Sequence, residues 1–160
     1  MYWTALALHI LSAIFWLGGI LFLGIVGAPV LRKVEPPELR QRLFGMLGER
    51  FRTAGWTAIG ILLVTGTYIL YVRGLLASDV LGNSAFWRTG TGIALAVKLV
   101  TVTVMLVLSG AHDFVLGPRA GRLEAGSPEA LRLRRQAALM ARVNGLVALV
   151  LIGAAMRLAR

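Results

Sequence analysis

Gly90 to Leu116 reads GTGIALAVKLVTVTVMLVLSGAHDFVL, an apolar run broken chiefly by Lys98, Thr101, Thr103, Ser109, His112 and Asp113. As a helix it is about 40 Å long against roughly 30 Å of hydrocarbon in a bilayer, which predicts a membrane span. At 100° per residue, Lys98, Thr101, Met105, Ser109 and His112 fall at about 0°, −60°, −20°, +20° and −40°, on one narrow face. Leucines and valines cover the other faces. A charge in hydrocarbon costs roughly 2.5–3.5 kcal/mol even on a lenient insertion scale, so this row should face protein and not lipid.

Composition agrees with that stretch. The 160 residues are 58% hydrophobic, with a mean hydropathy of +0.78, which excludes an ordinary soluble domain and predicts one membrane bundle over residues 1–160. With no cysteine, disulfides, thiolate zinc sites and dithiol redox chemistry are excluded. The net charge of +10 would suggest nucleic acid in a soluble chain. Here the bases lie between apolar spans, so they are read as topology signals and no nucleic-acid partner is expected.

Outward from the opening stretch, four spans are predicted at about 2–31, 53–72, 90–116 and 136–156. The first begins without a basic leader and is too long for the apolar part of a signal peptide, so it is read as an anchored span. His9, Ser12, Ala13, Trp16 and Gly19 recur along it at helical spacing, a second face of polar and small groups suited to burial. Pro36-Pro37 breaks the connection that follows. Beyond it, Leu39, Leu43, Leu47 and Phe51 step by four, an amphipathic run lying at the interface or leading into the second span. Ser127-Pro128-Glu129 has the pattern of a helix start: cap, first-turn proline, early acid.

Basic residues sort by connection. Arg32, Lys33, Arg40, Arg42, Arg50 and Arg52 lie in the first long connection, and Arg119, Arg122, Arg132, Arg134, Arg135 and Arg142 in or just after the second. The opposite side holds only Arg73, Arg88, Arg157 and Arg160, with Lys98 inside the membrane. The positive-inside rule then predicts a multi-pass protein of the inner, cytoplasmic membrane with both termini outside the cytoplasm. Tyr2, Trp3, Tyr68, Tyr71, Phe86 and Trp87 gather at that outer interface as an aromatic belt.

Depth decides which polar groups can meet. His9 lies about 10 Å along its helix from Tyr2 and Lys98 about 12 Å from Gly90, so the two are level. His112 is about 21 Å deeper than Lys98. For His9 two readings stand, a ligand to a metal or haem iron and an interhelical hydrogen bond. Lys98 either reaches for the outer interface or, as the rare lysine among arginines, belongs to a site. His112 with Asp113 reads as a rim pair or a metal ligand. Trp16 and Asn144 read first as packing groups. Imidazole and thioether suit copper, but the methionines are dispersed, and Met105 and His112 lie two turns apart. No nucleophile–base pair, carboxylate pair or phosphate loop is present to support hydrolysis.

Three stretches carry a resemblance: LHILSAIFWLGGILFLG around His9 and Trp16, RFRTAGWTAIGILLVTGTY in the second span, and VKLVTVTVMLVLSGAHDF with Lys98 and His112. Together they resemble the copper-resistance D (CopD-like) integral membrane domain and, more distantly, the HemJ-type protoporphyrinogen oxidase. Gly24 to Lys33 holds no histidine where the second type continues to one, which favours the first. The resemblance implies a four-helix membrane domain, a link to copper and, from the second type, a b-type haem ligated by His9 with Lys98 nearby.

The expectation is thus an all-α, four-helix transmembrane bundle. It holds haem b or a metal ion such as copper in its outer half, for electron transfer or copper handling. Candidate cofactor-binding residues are His9, Lys98, Trp16 and Met105, and candidate metal ligands are His9 and His112. A haem-dependent porphyrinogen oxidase and an accessory subunit without cofactor are the alternatives, which leaves enzymatic activity open. Membrane lipids and a redox or metal-delivery partner are the expected partners, with self-association left open.

Overall fold

Four long helices make up the molecule, described by a computed structural model over residues 1–124 and 127–158. They are α1 (Tyr2–Leu31), α2 (Pro37–Val72), α4 (Gly90–Arg122) and α5 (Pro128–Leu158), with the one-turn helix α3 (Ser78–Leu81) in the loop between α2 and α4. Each long helix is apolar and long enough to cross a membrane, and no strand occurs among the described residues. The all-α transmembrane bundle expected from the sequence is the observed architecture. Arg160, counted with the terminal side, lies outside the described residues.

Local chemistry explains most boundaries. Thr89 caps α4 by accepting from the Gly92 amide at 3.1 Å, and Ser127 caps α5 by accepting from Ala130 at 3.2 Å, as the Ser-Pro-Glu pattern predicts. α2 ends at Val72 and is capped by Arg73; Gly74 after it, with a φ of +69°, suits the glycine position of a Schellman turn. There the Leu75 amide reaches back to the Leu70 carbonyl at 3.0 Å.

Of the two readings of Leu39, Leu43, Leu47 and Phe51 the structure takes the second: the run leads straight into the second span, in a helix unbroken from Pro37. α5 starts at Pro128, where the Ser-Pro-Glu pattern puts a helix start, and runs on through the span expected from 136. In both cases a proline at the first helical position starts the helix early, and nothing after it breaks the ladder. α1 and α4 each contain one wide π-helical turn, at Leu23–Gly27 and Ala111–Leu116. Pro29 and Pro118 each lie two residues past the end of these turns. A proline has no N–H and crowds the carbonyl four residues back, and a widened turn ahead of it keeps the helix going.

Packing is by pairs. α1 lies against α2, α4 lies against α5, and a lighter contact of α1 with α5 joins the two hairpins. Hydrogen bonds across each pair join distant parts of the chain: His9 to Thr65 and Asn144 to Ser109. A layer of Trp16, Ala58, Ile59, Met105 and Ala148 crosses the middle of the bundle. The face predicted for α4 points inward: Thr101 and Met105 are buried and Lys98, Ser109 and His112 part-buried, while Val97, Val100, Val104 and Val107 are exposed toward lipid.

Candidate functional site

His9 is positioned by α2. Its Nδ1 lies 2.9 Å from Thr65 Oγ1, and the Thr65 hydroxyl, 2.6 Å from the Ile61 carbonyl, donates its hydrogen there. A hydroxyl has one proton to give. Toward His9, therefore, Thr65 accepts, Nδ1 carries the hydrogen, and in the neutral ring the lone pair is left on Nε2. This tautomer is assigned from the hydrogen-bond network. Gly66 makes room for the ring, since a Cβ there would stand 3.0 Å from His9 Cε1 and 3.6 Å from Nδ1.

Lys98 is half-buried on the facing hairpin, on the α4 face that also carries the buried Thr101 and Met105. Trp16 and Met105 come together one layer deeper, Trp16 5% and Met105 0% exposed, in the apolar cluster with Ala58, Ile59 and Ala148. Gly55 fits against the indole of Trp16, with Cδ1 3.6 Å from where its Cβ would be.

His112 is not part of this site. At the loop end of α4, its Nδ1 pairs with Asp113 Oδ1 at 2.8 Å, the rim-pair arrangement. Asp113 Oδ2 accepts from Trp56 Nε1 at 3.0 Å, and the Asp113 carbonyl accepts from Arg52 Nη1 at 3.2 Å. Phe114 packs on Trp56, ring centroids 5.3 Å apart, with the Arg52 guanidinium 5.9 Å above it. Between the two ends, Asn144 Nδ2 donates to Ser109 Oγ at 3.1 Å, and Asn144 Oδ1 is buried without a partner among the described residues. Among the described residues no three of His, Cys, Asp and Glu gather as a metal cage.

The sequence reading passed over Thr65 and Trp56 as partners. A signal for Thr65 exists: it continues the buried row of Gly55, Ala58 and Ile59 on α2 at helical spacing. Trp56 had none, because its partner Asp113 is 57 residues away and presented on a π-helical turn.

Comparison with known proteins adds a family. An uncharacterized protein of Aquifex aeolicus (strain VF5) is 32% identical over 115 residues, covering 72% of this chain and 70% of the relative. No solved structure matches. A family model, described as a domain of unknown function (DUF4149), matches residues 11–129. That stretch takes in Trp16, Thr65, Lys98, Met105 and His112 and begins just after His9. With most of its length matched, the chain belongs to the DUF4149 family.

Proposed function

We propose that this chain is a CopD-like membrane protein that holds a haem b in the half of the bundle bearing the termini, for electron transfer, with His9 Nε2 as ligand to the iron. One observation carries the reading: Thr65 takes the Nδ1 hydrogen of His9, leaving a ligand nitrogen on a ring fixed inside the bundle. Metal-bound histidines are held in this way, their second nitrogen donating to an oxygen that sets tautomer and orientation. A haem brings its own ring nitrogens and asks the protein for one or two donors. A copper ion needs several soft or imidazole donors to converge. Here Met105 lies in the apolar layer and His112 at the far end, so the residues fit haem better than copper.

In this reading Lys98, level with His9, meets a carboxylate of the bound group or serves the iron as a neutral amine. Trp16 and Met105 close the apolar side of the site against water. When bound, the haem supplies a one-electron couple; the chain's own work is ligation, orientation and exclusion of water. The sorting of bases supports a site in the outer half of the cytoplasmic membrane.

The test is the visible spectrum of detergent-purified protein after expression with haem precursor supplied. Wild type is expected to show a Soret band, His9→Ala to lose it, and Lys98→Met to weaken or shift it. A wild type without the band removes the haem reading. A second reading then stands, an accessory subunit whose polar groups only dock helices. It is favoured by the pairing of His9 with Thr65, Asn144 with Ser109 and Trp56 with Asp113 across helices.

A further inference from the structure

At the loop end of the bundle Gln41 joins three elements. Its Nε2 donates to the carbonyls of Gly121 at 3.3 Å and Leu123 at 3.2 Å. Its Oε1 accepts from Arg134 Nη2 at 2.7 Å. Arg134 is thereby held between α2 and the end of α4, part-buried, with the charge of Arg40 within Coulomb reach. Arg40 has a carboxylate partner in Glu35 at 3.1 Å. Arg134 does not: its hydrogen bond goes to a neutral amide, and no ion pair joins it to a carboxylate among the described residues.

Beside this network lies a depression of about 430 Å³ lined by Glu38, Gln41, Arg42, Gly45 and Gly121. A Cβ at Gly45 or Gly121 would meet nothing within 4 Å, so both glycines leave open space. Glu38 is the acid on its wall. Against it and Glu35 stand Arg40, Arg42 and Arg134, and Arg119 and Arg122 flank Gly121 along α4. The balance is positive, and the arginines present planar forks that match phosphate oxygens.

Depth selects the source of the phosphate. From Tyr68 in the aromatic belt to Gln41 is 27 residues of unbroken helix, about 40 Å, the thickness of a bilayer with its headgroups. The depression therefore sits in the opposite headgroup layer. Leu39 (43% exposed) and Met46 (55% exposed) flank it on α2, apolar surface for an acyl chain. Basic pockets between membrane helices at this depth suit anionic headgroups. We infer that Arg134 and Arg42, with the Gln41 hub between them, bind the phosphate of an anionic phospholipid between α2 and the loop end of α4. This site is independent of the haem reading.

The experiment is native mass spectrometry of the full-length, detergent-purified protein with added phosphatidylglycerol or phosphatidylcholine. Phosphatidylglycerol is expected to be retained through delipidation, and phosphatidylcholine lost. Each arginine near the surface contributes about 1 kcal/mol, so Arg134→Gln should weaken retention roughly fivefold. Arg88→Gln, at the other end of the bundle, should leave it unchanged. If Arg134→Gln does not fold, Arg42→Gln, outside the Gln41 network, is expected to show the same loss. Equal retention of both lipids, or undiminished binding by the variant that folds, overturns the site. So does displacement of the lipid by millimolar inorganic phosphate, which would mark a soluble anion as the occupant.

Discussion

Gly92 sits where the loop before α4 folds back on the helix. A Cβ there would collide with the Phe86 carbonyl oxygen and stand 2.9 Å from Trp87 Cα. Backbone cannot swing aside as a flexible side chain can. Gly92→Ala is therefore expected to cost about 1–3 kcal/mol by overpacking, read as a lower melting temperature in detergent. Gly18→Ala, with nothing near its Cβ position, should leave the melt unchanged, and equal melts for both would contradict the crowding. None of this was legible in the sequence, where both residues are glycines beside apolar runs. The burial of His9 was legible, because a period of 3.6 places it with Ser12, Ala13 and Trp16 on one face. Its tautomer was not, since that depends on where Thr65 sends its single proton.

At the scale of elements, the inward row on α4 could be read from residue spacing alone, because a membrane helix obeys one strong rule about where polar groups point. The π-helical turns could not. An i→i+5 ladder leaves no period in a stretch of five or six residues, and only Pro29 and Pro118, each just past a turn, hint at a disturbed ladder. The turn at Ala111–Leu116 presents His112 and Asp113 to α2, where Trp56 and Arg52 take up the Asp113 side chain and carbonyl. This cluster lies on α4 about 21 Å from the level of Lys98, too far for one planar group to be ligated from both. His112→Ala is accordingly expected to leave any haem absorption of the wild type intact. Loss of the band in His112→Ala but not in His9→Ala would move the site to the loop end.

For the whole molecule, the four-span plan was legible because length and hydropathy suffice to define spans. The pairing of the spans was not, since apolar surfaces in lipid carry little instruction about their neighbours. The structure pairs α1 with α2 and α4 with α5, neighbours in the chain, so each hairpin is local in sequence. Orientation belongs to this scale as well. With most of the basic residues at the loop end, a reporter fused after Arg160 is expected to read as non-cytoplasmic. A cytoplasmic signal from that fusion would invert the bundle and put the His9 level in the inner leaflet.

α2 is one unbroken helix of 36 residues, and that continuity has a mechanical side. From Gln41 to Thr65 it forms a rod of about 36 Å. Membrane helices respond to bilayer thickness by changing tilt. A tilt change of about 5° pivoting at the Gln41 end swings Thr65 sideways by about 3 Å, for the rod length given by the helical rise. α2 is thus a strut that ties the Gln41 network at one end of the bundle to the level of His9 at the other.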